Sequence, residues 1–345
     1  MKEHRVKLAI LQTLSQGGFH SGQDLGERLG ISRAAISKHI KGIQAWGVDV
    51  FSVQGKGYQL SKPMQLLDEA LLKSQVTTPL ELVPIIDSTN QYQLDRVDQL
   101  QSGSVCIAEY QAKGRGRRGR EWVSPFGSNL YLSIYWRLDA GMAAAMGLSL
   151  VVGVAIVEAL EKIGIDGVKL KWPNDLYFED KKLAGILVEM SGQAGAAANL
   201  VIGMGINLNM VNDGSHNHSD NHNHSQNHHQ EVTQKITQPW VSLSEVCDAQ
   251  SHSQTFDRND LAVTLVNTLQ STLNDYELYG MTGFVERWNR LDNYLGRKVK
   301  LIMGSRVIEG ISKGIDAQGA VLLETEQGVE RFIGGEISLR NNETP

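Results

Sequence analysis

Eight consecutive residues, Lys113-Gly114-Arg115-Gly116-Arg117-Arg118-Gly119-Arg120, exclude a regular helix or strand at that position. Three glycines weaken both regular states, and five positive charges in eight residues repel one another. The segment is therefore a loop, and folding it compactly calls for an anion to compensate the charge. Its glycines let the backbone bend around that anion and present N–H groups to it. Arginine forks match phosphate oxygens two at a time. A solvated basic loop, or an RNA-contacting Arg-Gly tract, would have the same composition. The setting favours a phosphate-bearing small molecule, because an apolar run at 105–109 that reads as a strand precedes the loop in an otherwise acidic domain.

The formal charge of −5 averages over two unlike parts of the 345-residue chain. Residues 1–62 carry nine basic and four acidic side chains, a net +5, whereas the remainder carries 24 and 34, a net −10. An apolar fraction of 41% supplies real cores, excludes a disordered or collagen-like chain, and at this length suits two or three domains. Cys106 and Cys247 are too few for a disulfide framework, which points to a reducing, cytoplasmic setting. Gln12, Thr13 and Gln16 interrupt the apolar run at 8–11, so it does not read as a secretory signal. The uncharged stretch 140–157 is rich in Ala, Gly and Ser and reads as a buried helix; no membrane association is expected.

The basic part has its own punctuation. Val6, Leu8, Ile10, Leu11 and Leu14 outline a first helix that ends at Gly17-Gly18. Ser21 caps a second, short helix that stops at Gly30. Ser32 caps a third, running towards Trp46 with Ile36, Ile40 and Ile43 as its apolar stripe. Residues 48–53 then alternate like a strand, 54–57 read as a turn, and 58–60 return. Two helices around a Gly-containing turn, followed by a hairpin, is the pattern of a winged helix-turn-helix. On the third helix Arg33, Ser37, Lys38 and Lys41 are left to reach base edges or phosphates, and Lys56 at the hairpin tip suits a neighbouring phosphate. Ser21, Gly22 and Ser32, at the two helix starts, complete the candidate DNA-binding set. A small protein-interaction domain with a solvated basic face is the competing reading; the charge and the wing favour DNA.

Beyond residue 62 short apolar runs at 82–86, 105–109, 130–136, 168–171, 183–190 and 200–208 alternate with helical stretches, of which 146–163 is the longest. The expected class is α+β: a winged helix-turn-helix at 1–62, a mixed α/β domain at 63–290, and a β-rich unit at 291–345 whose Gly-bearing turns suggest an SH3-like barrel. Residues 212–230 have no apolar side chain and include His216, His218, His222, His224, His228 and His229. They read as a disordered insert able to chelate Zn²⁺ or Ni²⁺ adventitiously, and no dedicated metal site is assigned.

Four further segments carry polar chemistry. Lys171-Trp172-Pro173-Asn174-Asp175 follows a strand, where open α/β sheets place ligands, although Pro-Asn-Asp alone reads as a turn. Lys182-Leu183-Ala184-Gly185-Ile186-Leu187-Val188-Glu189 puts a lysine before a strand whose Gly185 admits close approach of a ligand. Gly203-Met204-Gly205-Ile206-Asn207 offers small residues and an amide. Asp87-Ser88-Thr89-Asn90 groups polar side chains that, by default, cap a helix.

Together these segments, with Gln111, Trp122 and Gly334-Gly335-Glu336-Ile337-Ser338-Leu339, resemble the bifunctional biotin–protein ligase and biotin operon repressor family over essentially the whole chain except about 212–235. The resemblance implies a biotin/lipoate-ligase catalytic domain. It also implies a reaction in which biotin and ATP, with Mg²⁺, give biotinyl-5′-AMP, which then acylates a lysine of the biotin carboxyl carrier protein of acetyl-CoA carboxylase. As a homodimer holding the adenylate, the protein would bind operator DNA of the biotin operon. Carried over by position, Ser88, Thr89, Asn90, Gln111, Arg115, Gly116, Arg117, Lys182, Gly185 and Leu187 would bind biotin. Arg120, Trp122, Asn174, Asp175, Asn207 and Trp240 would bind the nucleotide, and Lys182 and Arg117 would be catalytic. A biotin-sensing repressor without ligase activity and a lipoate-type acyl-carrier ligase are the alternatives. The complete Arg-Gly loop with Lys182 argues against the first, and the N-terminal domain against the second.

Overall fold

A computed structural model describes residues 2–192, 196–210, 233–250, 256–333 and 337–341. The histidine-rich run 212–230 and positions 334–336 of the C-terminal motif lie outside the described residues. Three helices open the chain: α1 (Lys2–Leu14), α2 (Gly22–Leu29) and α3 (Arg33–Gln44). The Ser21 and Ser32 hydroxyls accept the N–H groups of Asp24 and Ala35 at 3.0 and 3.2 Å, satisfying donors that a helix start leaves orphaned. Gly30 ends α2 at φ 66°, a left-handed turn that costs glycine little. Ile36, Ile40 and Ile43 close a small core with Ile10, Leu11, Leu14 and Leu25. Strands β1 (Val50–Val53) and β2 (Gly57–Leu60) form the antiparallel wing.

That small core is not sealed by its own residues. Trp46, just beyond α3, stacks on Phe126 with ring centroids 5.7 Å apart and lies 5.8 Å from Tyr110. Its carbonyl accepts the Phe126 N–H at 2.9 Å.

The central part runs α4 (Glu69–Gln75), β3 (Leu80–Leu82), β4 (Ile85–Ile86), α5 (Thr89–Leu94), β5 (Val105–Ala108), β6 (Tyr110–Gln111), β7 (Asn129–Leu138), α6 (Leu148–Lys162), β8 (Lys169–Lys171), β9 (Asp175–Phe178), β10 (Lys181–Ser191), β11 (Ala198–Asn207), α7 (Leu243–Ala249) and α8 (Arg258–Tyr279). Seven strands form one sheet in the order β3-β5-β7-β11-β10-β9-β8. Only the β3–β5 ladder is parallel; the others are antiparallel. Residues 171–175 therefore do not end a strand of an open parallel sheet. They make the hairpin turn from β8 to β9, with a cis peptide at Trp172–Pro173.

Both faces of the sheet are covered, which is why β11 is apolar without alternation. Helix α6, which starts inside the uncharged stretch 140–157, packs its Gly153 near Ile186 on one face. Asn90 of α5 meets Gly203 on the other. No described helix is long and apolar enough to cross a membrane.

Helix α9 (Val285–Leu291) leads to β12 (Lys298–Met303), β13 (Arg306–Ile315), β14 (Val321–Thr325), β15 (Gly328–Phe332) and β16 (Ile337–Asn341). These form an antiparallel sheet in the order β15-β14-β13-β12-β16. Asp292 sits at the seam between this sheet and β8, where Asn293 N–H donates to the Leu170 carbonyl at 2.7 Å. Burial pushes its carboxyl up to about 6, against the opposing pull of the Tyr294 N–H and the Ser312 hydroxyl. Between about pH 4 and 6 the unfolded chain gives up this proton while the folded chain keeps it, so stability falls across that window and then levels off. Asp292→Asn keeps an acceptor for Tyr294 but cannot ionise. It is expected to stabilise the fold by about 1–3 kcal/mol at pH 8 and by almost nothing at pH 3.5. Urea titrations at the two pH values check this; an equal effect at both would remove the explanation.

Candidate functional site

The site is a cleft over β10 and β11, and its floor is bare backbone. Gly185 pairs with Gly205 and Leu187 with Gly203 across the ladder. A Cβ at Gly203 would fall 2.0 Å from Asn90 Oδ1, and one at Gly205 would fall 2.4 Å from the Trp122 indole. A Cβ at Gly185 would lie 3.1 Å from Trp122 and 3.3 Å from Lys182 Cε. These glycines admit the close approach of Asn90, Trp122 and Lys182 to the strand backbone.

One end of the cleft is lined by neutral polar groups. Ser88 caps α5, as the default reading holds, its hydroxyl taking the Gln91 N–H at 3.4 Å. Thr89 and Asn90 are buried and turn inward. Thr89 N–H donates to Gln111 Oε1 at 2.9 Å, and Gln111 Nε2 donates to Ser124 Oγ at 3.2 Å. Ser133 Oγ lies 2.6 Å from Asn90 Oδ1 and 2.7 Å from Thr89 Oγ1. Its single proton serves the Asn90 carbonyl oxygen, which has none, so the Thr89 hydroxyl supplies the proton for the other contact.

The Gly-Arg loop arches over the cleft as a small hairpin. Gly116 N–H donates to Arg120 O at 2.8 Å and Trp122 N–H to Gly114 O at 2.9 Å. Arg118 and Gly119 turn the chain at φ 60° and 70°. Contrary to the expectation that a bound anion compensates the loop, the protein supplies part of the compensation itself. Lys113 pairs with Asp87 at 2.8 Å, Arg115 with Glu189 at 2.8 Å, and Arg117 Nη1 donates to Asn174 Oδ1 at 2.9 Å. Arg117 is half-buried; desolvation pulls its pKa down, and Asp175 works in the opposite sense.

Lys182 enters the cleft at a register shift in β10, between Lys182 and Ala184 opposite β9. Such a bulge re-aims a side chain that regular pleating would send elsewhere. Its Nζ sits 2.8 Å from Asp175 Oδ1, both side chains being largely buried, and 5.4 Å from the Trp122 ring centroid. The turn before Asp175 is fixed by Asn174, whose Nδ2 donates to Ile186 O at 2.9 Å. Trp172 Nε1 donates to Gly319 O of the C-terminal sheet at 3.0 Å, and Ser149 Oγ donates to Pro173 O at 2.9 Å.

Of the candidate ligand-binding residues, Ser88, Thr89, Asn90, Gln111, Arg115, Gly116, Arg117, Arg120, Trp122, Asn174, Asp175, Lys182, Gly185 and Leu187 line this one cleft. Asn207 and Trp240 are not among its lining residues. Both are buried behind Lys182 and brace its backbone: Asn207 Nδ2 donates to Lys182 O at 3.4 Å, and Trp240 bridges to Lys182 as an isolated β-bridge. Lys171 and Glu189 fall within the singled-out segments but received no role of their own, and Gln238, Glu121 and Ser133 received none; Lys171, Gln238 and Glu121 line the cleft, and Glu189 and Ser133 hold its walls. Among the candidate DNA-binding residues, Ser32, Arg33, Ser37, Lys38, Lys41 and Lys56 are exposed. Ser21 is half-buried, and Gly22 is buried beneath the Arg33 stem and the Tyr58 ring. Gly22 thus packs rather than presents itself.

Three family descriptions match successive parts of the chain: an HTH domain over 6–59, the biotin/lipoate A/B protein ligase family over 82–207, and the biotin protein ligase C-terminal domain over 294–340. The chain is 51% identical to the bifunctional ligase/repressor BirA of Salmonella typhimurium, and 49% identical to that of Escherichia coli K12. Each alignment covers 99% of this chain and 100% of the relative. Among solved structures, the biotin protein ligase from Aquifex aeolicus in complex with biotin and ATP superposes with a TM-score of 0.60 at 28% identity. That superposition covers 76% of this chain and 99% of the other.

Proposed function

The chain belongs to the biotin protein ligase family in its bifunctional ligase/repressor form, and from that premise we propose how its residues divide the work. The ligase cleft takes biotin and ATP. Thr89, Asn90, Gln111 and the backbone beside Gly185 and Leu187 hold the biotin ring, with Ser88 at the rim. Arg115, Gly116 and Arg117 close over the biotin carboxyl and the phosphates, while Arg120, Trp122, Asn174 and Asp175 face the nucleotide. The observation that carries this assignment is the convergence of Lys182 and Arg117, both cations, on a glycine-floored cleft with a neutral polar end.

The chemistry follows from charge. A carboxylate must approach a triphosphate, two anions that repel in water. Lys182 and Arg117 offset that repulsion and stabilise the charge that grows as biotin's carboxylate oxygen attacks the α-phosphate and pyrophosphate departs. Lys182 stays cationic and takes part electrostatically, not as a nucleophile. Asp175 and Glu121 are the lining carboxylates that would hold a Mg²⁺ ion, whose charge would shield the departing pyrophosphate. In the second step the carrier lysine's amine attacks the adenylate's acyl carbon and AMP leaves. The loop at 111–122 must exclude water meanwhile, because the mixed anhydride hydrolyses readily.

The repressor half uses Arg33, Ser37, Lys38, Lys41 and Lys56, exposed on α3 and the wing. Domain limits near 62 and 290 keep the charge division of the sequence. Two copies bound to the adenylate would present two recognition helices to a palindromic operator in the cytoplasm, ligand-favoured dimerisation supplying the coupling energy. Incubation with ATP, Mg²⁺, a biotin carboxyl carrier domain and either biotin or lipoate tests the ligase assignment. Acylation of the carrier lysine is expected with biotin only. Transfer of lipoate, or of neither acid, would overturn it.

A further inference from the structure

One carboxylate at the neutral end of the cleft has no part in the scheme above. Glu189, on β10 two residues beyond Leu187, accepts from Asn90 Nδ2 at 2.8 Å and from Arg115 Nη2 at 2.8 Å through the same oxygen, Oε2. Asn90 belongs to the cleft wall and is 4% exposed. Arg115 belongs to the arching loop and also donates from Nη1 to Gln91 Oε1 at 2.9 Å. Wall and lid therefore meet on a single side chain.

Counting protons shows what this does to Asn90. Its Nδ2 carries two, and two acceptors face it, Glu189 Oε2 and Leu187 O, the latter at 3.2 Å. Its Oδ1 receives the Ser133 hydroxyl at 2.6 Å. A flipped amide would set its oxygen against a carboxylate and a carbonyl, so the orientation is fixed. Nor can the side chain retreat towards the floor, since it already occupies the space a Cβ on Gly203 would need. What remains for a ligand is the second lone pair of Oδ1, an acceptor, which selects an N–H donor. A cyclic urea offers such a donor. A dithiolane ring does not.

We propose that Glu189 is a positioning residue that sets Asn90 as an acceptor for the ureido N–H of biotin and, through Arg115, ties that recognition to closure of the Gly-Arg loop. This rests on the placement of biotin in the cleft proposed above. Truncating the carboxylate frees the Asn90 amide to rotate and unlatches the loop, so the bound acid leaves faster, while Lys182 and Arg117 keep their own partners, Asp175 and Asn174, on the phosphate side.

The test measures biotin affinity, the dissociation rate of labelled biotin, and kcat and KM for carrier biotinylation in the full-length protein. Glu189→Ala is expected to weaken biotin about 10- to 100-fold, mainly through faster dissociation. KM for ATP and kcat at saturating biotin should change less than biotin affinity does, because Lys182 and Arg117 are held by Asp175 and Asn174 and not by Glu189. Glu189→Gln can place its one carbonyl oxygen where Oε2 accepts both donors but loses the charge opposite Arg115, so an intermediate loss is expected; it also serves as the readout if the alanine variant folds poorly. On an Arg115→Met background the effect of Glu189→Ala should shrink, since one of its two partners is already gone. Unchanged biotin affinity and dissociation in both Glu189 variants, with at least a tenfold loss in Asn90→Ala, would overturn the role of Glu189 alone. If Asn90→Ala also binds biotin normally, the placement of biotin falls and the proposal with it.

Discussion

Replacing Lys182 by methionine is expected to slow adenylate formation by about 10²- to 10³-fold, with the fold intact. Methionine matches the length of the lysine stem and keeps its packing beside Trp122 and Gly185. What disappears is the charge that offsets two converging anions. The variant also strips Asp175 of its partner at 2.8 Å, leaving a largely buried carboxylate facing the incoming triphosphate. ATP binding should weaken for that second reason, and the Lys182→Met/Asp175→Asn pair separates the two effects. Measured without Mg²⁺, binding of ATP recovers in the double variant, while with Mg²⁺ the single-turnover rate of pyrophosphate release at saturating substrates stays low. A Lys182→Met rate within threefold of the parent would remove the electrostatic role.

The second large effect concerns stability. Arg258, the first residue of α8, is 1% exposed and pairs with Glu109, 3% exposed, at 2.8 Å. Arg258 Nη2 also donates to Asn129 O at 2.8 Å, its Nη1 to Gln65 O, and its backbone N–H to Gln65 Oε1 at 2.8 Å. Glu109 Oε1 in turn accepts the Leu67 N–H at 2.7 Å. The pair thus nails the segment after the winged domain to the start of α8 and to β7. A buried ion pair adds little net stability, but removing one partner leaves the other uncompensated. Arg258→Met is expected to cost about 3–5 kcal/mol, readable in urea. Arg258→Met/Glu109→Leu should recover much of the loss, since apolar replacements of such a pair are close to neutral. A single variant as stable as the parent would show that water reaches Glu109.

Much of the fold and of the cleft was legible before any coordinates, for local reasons. Caps, stripes and turns are short-range, so Ser21, Ser32, Gly30 and the Ile36-Ile40-Ile43 stripe read directly. The cleft-lining residues stood out because their segments carry more glycines and charges than a turn or a strand needs. Three things lay beyond reach. Strand direction is a pairing property, so Lys171-Trp172-Pro173-Asn174-Asp175 does follow a strand and does turn, but it joins the antiparallel pair β8 and β9 and does not lie at the edge of an open parallel sheet. The bulge that aims Lys182 arises from mismatch with β9, which no single segment records. Glu189 reads as an ordinary strand residue until Asn90, 99 positions away in sequence, is brought to its carboxylate. Asn207 and Trp240 mark the converse case: they belong to the right segments but face away, into the support of Lys182.

The aromatic contact of Trp46 with Phe126 and Tyr110 bears on what kind of object this chain is. By charge it is two proteins, a basic reader and an acidic enzyme, and the seam near residue 62 looks like a place to cut. By packing it is one, since the reader's core borrows its last wall from the two stretches of enzyme that lie one residue before Gln111 and two residues after Ser124. Scissors guided by composition would open both halves at once.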